Sequence, residues 1–241
     1  MNEFLSYVLL VFPGLCLAAI ALFLLPFKQT ALRLAIVILA FILLRDALVP
    51  SGLWKITQSL EMRFIPNEFL LLFVAVSSLI FALSIPKLLN IHPEFSKGEL
   101  WRTAIIGVAG SFLVVLPVFL LRSTGLIMES LEKPTGTFLL TAVLVMSLCG
   151  NFLEEVVFRG GLQTYLKQSG MSTLRSGVLS AVIFSLCHSY LAFTVTSVGA
   201  LVLVFTLWEG LICAFLAARY GLLASTMAHG LGIFFIASSI I

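Results

Sequence analysis

Glu154 and Glu155 stand side by side near the end of an apolar run, in the segment GNFLEEVVFRGG, with Arg159 four residues beyond the second glutamate. Ionisable groups at membrane depth cost several kcal/mol unless paired or wetted, and they mark function. A separation of four residues puts Glu155 and Arg159 on one helix face, where they can pair. Glu154 is rotated by about 100° from its neighbour and lacks that partner. One carboxylate is therefore held by an arginine and the other is free for chemistry. The bland alternative is a helix-end ion pair with Glu154 reaching out to water. Gly160 and Gly161 follow and predict the end of the helix there.

Two histidines lie in other apolar runs: His188 in VIFSLCHSYLAF, one turn after Phe184, and His229 in STMAHGLGIFF. A lone buried histidine is usually a structural hydrogen-bonder. Two of them in separate segments, with an unpaired glutamate, suggest a reaction centre. A carboxylate stripped of bulk water is a better base. It can take a proton from a water held between Glu154 and His188, and that water can attack a carbonyl carbon. The oxyanion that develops needs donors, and a histidine N–H is one. The chemistry is amide hydrolysis. Zinc is the competing use of the same residue types, but no HExxH helix signature is present and no cysteine is so placed in the sequence as to strengthen a metal reading, so the expectation is a site without a metal or other cofactor.

The elements that carry these residues are membrane spans. Of 241 residues 61% are apolar and 10% charged, against about 25% charged in an ordinary water-soluble domain. This excludes a soluble globule, a disordered tail and a disulfide scaffold. A net charge of +3, spread along the chain, gives no footing for a nucleic acid. A crossing helix needs about 20 apolar residues. Eight candidates are read: Leu5–Pro26, Ala31–Leu44 (extendable through Arg45–Val49), Phe69–Ile85, Ala104–Leu121, Phe138–Phe158, Gly177–Ala192, Val195–Ala218 and Leu222–Ile241. The sixth and seventh are joined so closely that one or both must be bent or broken. The runs are too long and too little alternating for barrel strands. The expected fold is an all-α polytopic bundle of about eight helices around a membrane-embedded cavity. It forms one integral domain over 1–241, with the motif-bearing core at 144–235.

The first span starts without Lys or Arg and is longer than a signal-peptide core, so it is expected to stay as a helix. Cys16, Cys149, Cys187 and Cys213 lack CxxC spacing and read as buried thiols. If the side of the N-terminus is A, side B collects nine Lys or Arg (Lys28, Arg33, Lys87, Lys97, Arg102, Arg159, Lys167, Arg175, Arg219) and side A five (Arg45, Lys55, Arg63, Arg122, Lys133). The excess predicts side B to be cytoplasmic. Leu53, Ile56, Leu60 and Phe64 fall at helical spacing with Lys55, Gln58, Ser59, Glu61 and Arg63 opposite, which predicts an amphipathic helix, either lying in the interface plane or packed on the bundle as an ordinary connecting helix. At 1.5 Å per residue, Glu154 lies about 7 Å, His229 about 10 Å and His188 roughly 16 Å from side B. On these depths the three meet in a cavity open toward side B, hence toward the cytoplasm. Small-residue pairs such as Gly107 with Ser111 fit close helix packing.

Glu-Glu-x-x-x-Arg (Glu154, Glu155, Arg159), Phe-x-x-x-His (Phe184, His188) and the later His229 resemble the CAAX protease and bacteriocin-processing family, also called the abortive-infection family, of glutamate-type intramembrane endopeptidases. The similarity runs from about Leu144 to Phe235. It implies an eight-helix bundle with a conical cavity between the motif helices. By motif position it implies Glu154 as the water-activating base, His188 as its partner in holding the water, Glu155 and Arg159 as a supporting pair and His229 as an oxyanion donor. The family often carries Asn four residues after the last histidine, where this chain has Ile233, and no Asn follows Asn151. A backbone N–H, a water, Ser225 or Thr226 then supplies the second donor, or the site is weakened. Losing one oxyanion donor costs about 2.7–4 kcal/mol.

The function expected is hydrolysis of a peptide bond near the C-terminal end of a membrane-associated protein or peptide. The lipid bilayer, most simply the plasma membrane of a prokaryote, would be the other partner. Two alternatives are a catalytically inactive binding or immunity member, to which Ile233 lends weight, and a proton-coupled transporter using Glu154, Glu209 and the histidines. The transporter reading lacks the interrupted helices at matching places in two halves that would support it. Glu209, in TLWEGLICA, either lines the same cavity or bonds a neighbouring helix.

Overall fold

Long apolar runs separated by short polar links become helices in a computed structural model, which describes residues 3–56, 62–124, 134, 136–196 and 198–238. Among these residues there are eight helices: α1 Glu3–Leu24, α2 Thr30–Asp46, α3 Glu68–Leu89, α4 Leu100–Ser123, α5 Thr137–Gln168, α6 Thr173–Val195, α7 Ala200–Tyr220 and α8 Leu222–Ser238. Six of them (α1, α3, α4, α5, α6 and α7) are long and apolar enough to cross a bilayer, and α2 and α8 have 17 residues each. The fold is the expected all-α polytopic bundle, and the protein is an integral, multi-pass membrane protein. Its outer faces carry large apolar side chains such as Phe23, Phe69 and Leu174, which suit contact with lipid.

Local chemistry sets where helices begin and end. Asn67 Oδ1 accepts from Leu70 N at 3.0 Å and caps α3, and Ser172 Oγ accepts from Arg175 N at 3.3 Å and caps α6. Arg33 is buried where α1, α2 and α3 meet and donates to the carbonyls of Leu22, Leu25 and Leu88 at 2.6, 2.7 and 2.8 Å. These carbonyls belong to helix ends that would otherwise lack donors. The loop after α3 does the same for α8: Glu94 O and Phe95 O accept from Leu222 N and Leu223 N at 3.0 and 2.8 Å. Gly221 makes this possible. Its φ is +94°, and a Cβ there would sit 2.8–3.0 Å from Phe95 O, Ser96 Cα and Glu94 O. In the same loop Lys97 Nζ bonds Ala218 O and the Glu94 carboxylate. That bond, with the charge of Lys97, holds the exposed Glu94 carboxyl below its ordinary range.

Two apolar cores lie on either side of α5. One joins α3, α4, α5 and α8 through Ala75, Val114, Val118, Val143, Ala228 and Ile236. The other joins α2, α3, α5 and α6 through Val37, Phe41, Ile85, Val157, Phe158 and Phe184. Gly107 of α4 lies against α8, where a Cβ would come within 2.5 Å of Met227 Cβ and 2.7 Å of Ala224 O. This is the close packing that small residues permit.

Two expectations are corrected. The chain does not stop at Gly160 and Gly161: α5 widens into a π-helical stretch over Val156–Gln163 and runs on to Gln168. Neither glycine takes the positive φ of a helix cap, whereas Gly170, at φ +94°, follows the true end. Gly160 packs on Pro93 and Leu222 and Gly161 on Leu34 and Leu89, so their missing side chains serve helix packing. The segment between α2 and α3 is not helical where it is described. Strands β1 Trp54–Ile56 and β2 Met62–Phe64 pair antiparallel, with Trp54 opposite Phe64 and their rings stacked at 6.2 Å. Aromatic and β-branched residues favour strands, and Pro66 prevents a helix from running into α3. Gln58, Ser59, Leu60 and Glu61 lie outside the described residues. Arg63 Nη1 donates to Ala237 O at 2.8 Å and ties the hairpin to the end of α8.

Candidate active site

The π-helical stretch begins immediately after the two glutamates. Single π turns inside α-helices are frequent at functional sites. Here the wider turn keeps residues four apart on one side. Arg159 Nη1 lies 3.0 Å from Glu155 Oε1, with both side chains fully shielded, and Arg159 Nη2 donates to Gly210 O of α7 at 3.0 Å. The same Glu155 oxygen accepts from His229 Nδ1 at 2.8 Å. His229 Nε2 faces Glu209 Oε2 at 3.5 Å, beyond a good hydrogen bond. Arg159, Glu155, His229 and Glu209 thus form one buried chain linking α5, α8 and α7.

Glu154 points the other way. Its side chain lines a cavity of about 500 Å³ shared with Arg45, His188, Glu209, His229 and Ile233. Glu154 is only 9% exposed, and Oε2 makes no hydrogen bond to protein among the described residues. His188 sits at a turn inside α6, between its α-helical body and the π-helical tail Leu191–Val195. Its Nδ1 donates to Phe184 O at 2.8 Å. That carbonyl can only accept, so Nδ1 carries the hydrogen and Nε2 is an acceptor. The donor at Nε2 is Arg45 Nη1, 2.9 Å away. Phe184 is the common support. Its ring meets His188 and His229 edge-on at 4.7 and 5.8 Å, and the Arg159 guanidinium lies 4.5 Å over it.

All five residues singled out in the sequence therefore converge, in two groups. Glu154 and His188 border the cavity, Glu155 and Arg159 lie behind it, and His229 belongs to both. Glu209 lines the cavity as well as facing His229. Arg45 was missed, being counted as a loop charge. The signal was there: an Arg-Asp pair closing the apolar run ILAFILLRD is a charged pair at membrane depth.

The direction of the cavity is a further correction. Beyond the site residues and their neighbours on α5 to α8, its lining comes from α1 between Phe4 and Leu15, the end of α2, the hairpin and α3 between Phe73 and Phe81. These lie at the end of the bundle where α1 begins, side A, and not toward side B. The expected depths assume that α5 ends near Arg159. With α5 continuing to Gln168, Glu154 lies about 21 Å from that end.

Glu155, Cys213 and His229 offer ligand atoms within 4.8 Å of one another. The donor set suits zinc, but the fit is poor. Glu155 Oε1 and His229 Nδ1 are already bonded to each other, and the Arg159 guanidinium against the same carboxylate would repel a cation.

The fold and site define an integral membrane protein with a buried carboxylate–histidine cluster beside a cavity within the bundle. Residues 136–235 match the family described as type II CAAX prenyl endopeptidase, Rce1-like, the family that the motifs resemble. The match runs from the start of α5 to near the end of α8 and supports a protease in broad terms. Arg45, α1 to α4 and the hairpin lie outside it. No curated protein and no solved structure gives a significant match.

Proposed function

We propose that the protein is a metal-independent intramembrane endopeptidase that hydrolyses a peptide bond near the C-terminal end of a membrane-associated protein or peptide. The observation that carries this reading is a buried carboxylate, Glu154, with an oxygen unclaimed by protein, in one cavity with His188 and His229. The apolar walls of that cavity, among them Phe4, Val8, Val11, Phe12 and Phe73, suit an acyl or prenyl chain beside the peptide, in keeping with the prenyl substrate in the family's description.

In the reaction, the Glu154 carboxylate accepts the proton of a water as the water oxygen bonds to the carbonyl carbon. His188 Nε2 passes from Arg45 to that water and fixes its second hydrogen. The carbonyl π pair moves to oxygen. His229, between the carboxylates of Glu155 and Glu209, acts as the imidazolium with a hydrogen on each ring nitrogen, and the oxyanion accepts from its Nε2–H, which the long contact to Glu209 leaves available. Glu155, held by Arg159, orients His229 through Nδ1. The intermediate collapses, the C–N bond breaks, and the proton on Glu154 moves to the leaving amine. Setting aside the buried Arg33, Arg45 and Arg159, the Lys and Arg excess of seven against four still favours side B as cytoplasmic. We therefore place the cavity mouth on the far face of a prokaryotic plasma membrane, where the anchors of exported proteins are presented.

The test is a comparison of membrane proteomes from cells carrying the wild-type chain or Glu154→Gln. C-terminal fragments present with the first and absent with the second are expected. Identical fragment sets, with both proteins inserted equally, would leave a binding or transport role instead.

A further inference from the structure

We infer that Arg45, on α2 and outside the family match, is a catalytic residue that donates Nη1–H to the oxyanion during the proposed peptide hydrolysis; this rests on the protease reading above. His229 offers the cavity one N–H. Ile233, one helical turn further along α8 and also lining the cavity, offers none. An oxyanion held by a single donor would be poorly stabilised.

Arg45 is the arginine in that lining and is 6% exposed. Its five N–H groups are mostly spoken for. Nε donates to Asp46 Oδ1 at 2.8 Å, and Nη2 donates to Cys187 O at 2.7 Å and lies 2.7 Å from Asp46 Oδ1. Nη1 spends one hydrogen on His188 Nε2. Its second hydrogen has no acceptor among the described residues. The side chain is thus held at Nε and Nη2 while Nη1 faces the reaction centre. Asp46 offsets the charge without occupying that atom. As the substrate carbonyl enters, Nη1 has a hydrogen ready for its oxygen. Moving toward the developing charge also releases His188 Nε2 to the water. No bond beyond those of hydrolysis forms or breaks, and Arg45 stays protonated throughout.

The test begins with the Glu154-dependent fragments and a quenched peptide spanning the junction they define, assayed with purified protein in nanodiscs. Arg45→Gln should lower kcat by about 10²–10³-fold with KM changed less than about threefold. Adding Ile233→Asn, which sets an amide one turn from His229, should restore at least tenfold of that loss. A role confined to tying α2 to α6 predicts no such rescue, because residue 233 touches neither contact. Should Arg45→Gln fail to accumulate, Arg45→Lys serves, its ammonium being unable to hold Asp46 and the oxyanion together. A tenfold or larger fall in kcat is expected there, again eased by Ile233→Asn. Unchanged kcat in the Arg45 variants, or a loss that Ile233→Asn does not relieve, overturns the inference and leaves the protease reading standing. If no fragment depends on Glu154, the protease reading fails and this inference with it.

Discussion

Arg159 and Glu155 are both fully shielded, and each is the other's charge partner. Removing one member of such a pair leaves an uncompensated buried charge, at a cost of about 3–5 kcal/mol. Arg159→Met is therefore expected to lower the denaturation midpoint in detergent sharply, whereas Glu154→Gln, which breaks no protein bond at Oε2, should leave it nearly unchanged. Equal midpoints for the two variants would show that the buried pair within α5 does not stabilise the bundle. Spacing in the sequence was enough to separate the two glutamates, because a step of one residue rotates a helix by a fixed angle. It did not reveal that Glu155 also takes His229, since that contact joins residues 74 positions apart. The Arg45–His188 contact was hidden for a related reason: the charge of Arg45 at membrane depth was visible, but the turn in α6 that brings His188 to it was not.

At the scale of elements, the positive φ of Gly221 is required by the loop that caps α8. Gly221→Ala would strain that turn and crowd three backbone atoms, at about 1–3 kcal/mol, and shift α8 and His229 with it. Lower thermal stability together with reduced cleavage is expected; unaltered values of both would mean that the turn relaxes freely. The spans were legible because apolar runs of this length have no other stable form in lipid. Their ends were less so. Gly160 and Gly161 read as a stop since glycine serves both as a cap and as a packing surface, and only the neighbours Pro93, Leu34 and Leu89 decide between them. The hairpin was misread because four apolar residues at helical spacing carry no information about cross-strand pairing such as Trp54 with Phe64.

At the scale of the whole molecule, the proposed orientation puts the cavity mouth and the cytoplasmic face on opposite sides of the membrane. In a cysteine-free background, a membrane-impermeant maleimide applied to intact cells should label Lys55→Cys, on the exposed hairpin beside the cavity, and spare Lys28→Cys between α1 and α2. The reverse pattern would turn the bundle over and put the cavity in the cytoplasm. The side of the cavity was misjudged from sequence because depth was counted from a helix end that lies nine residues further on, at Gln168 rather than Arg159. The guanidinium beside Glu155 predicts a further property: activity should survive exhaustive chelation. Loss of activity that zinc alone restores would reverse that expectation.

The central claim is that Glu154 is the base that activates water. The most direct measurement is the rate at which purified wild-type and Glu154→Gln proteins, matched in folding, cleave a peptide bearing the identified junction. General-base catalysis accounts for about 10²–10⁴-fold, so the variant should be slower by at least 10²-fold. Cleavage by Glu154→Gln at the wild-type rate would contradict the account.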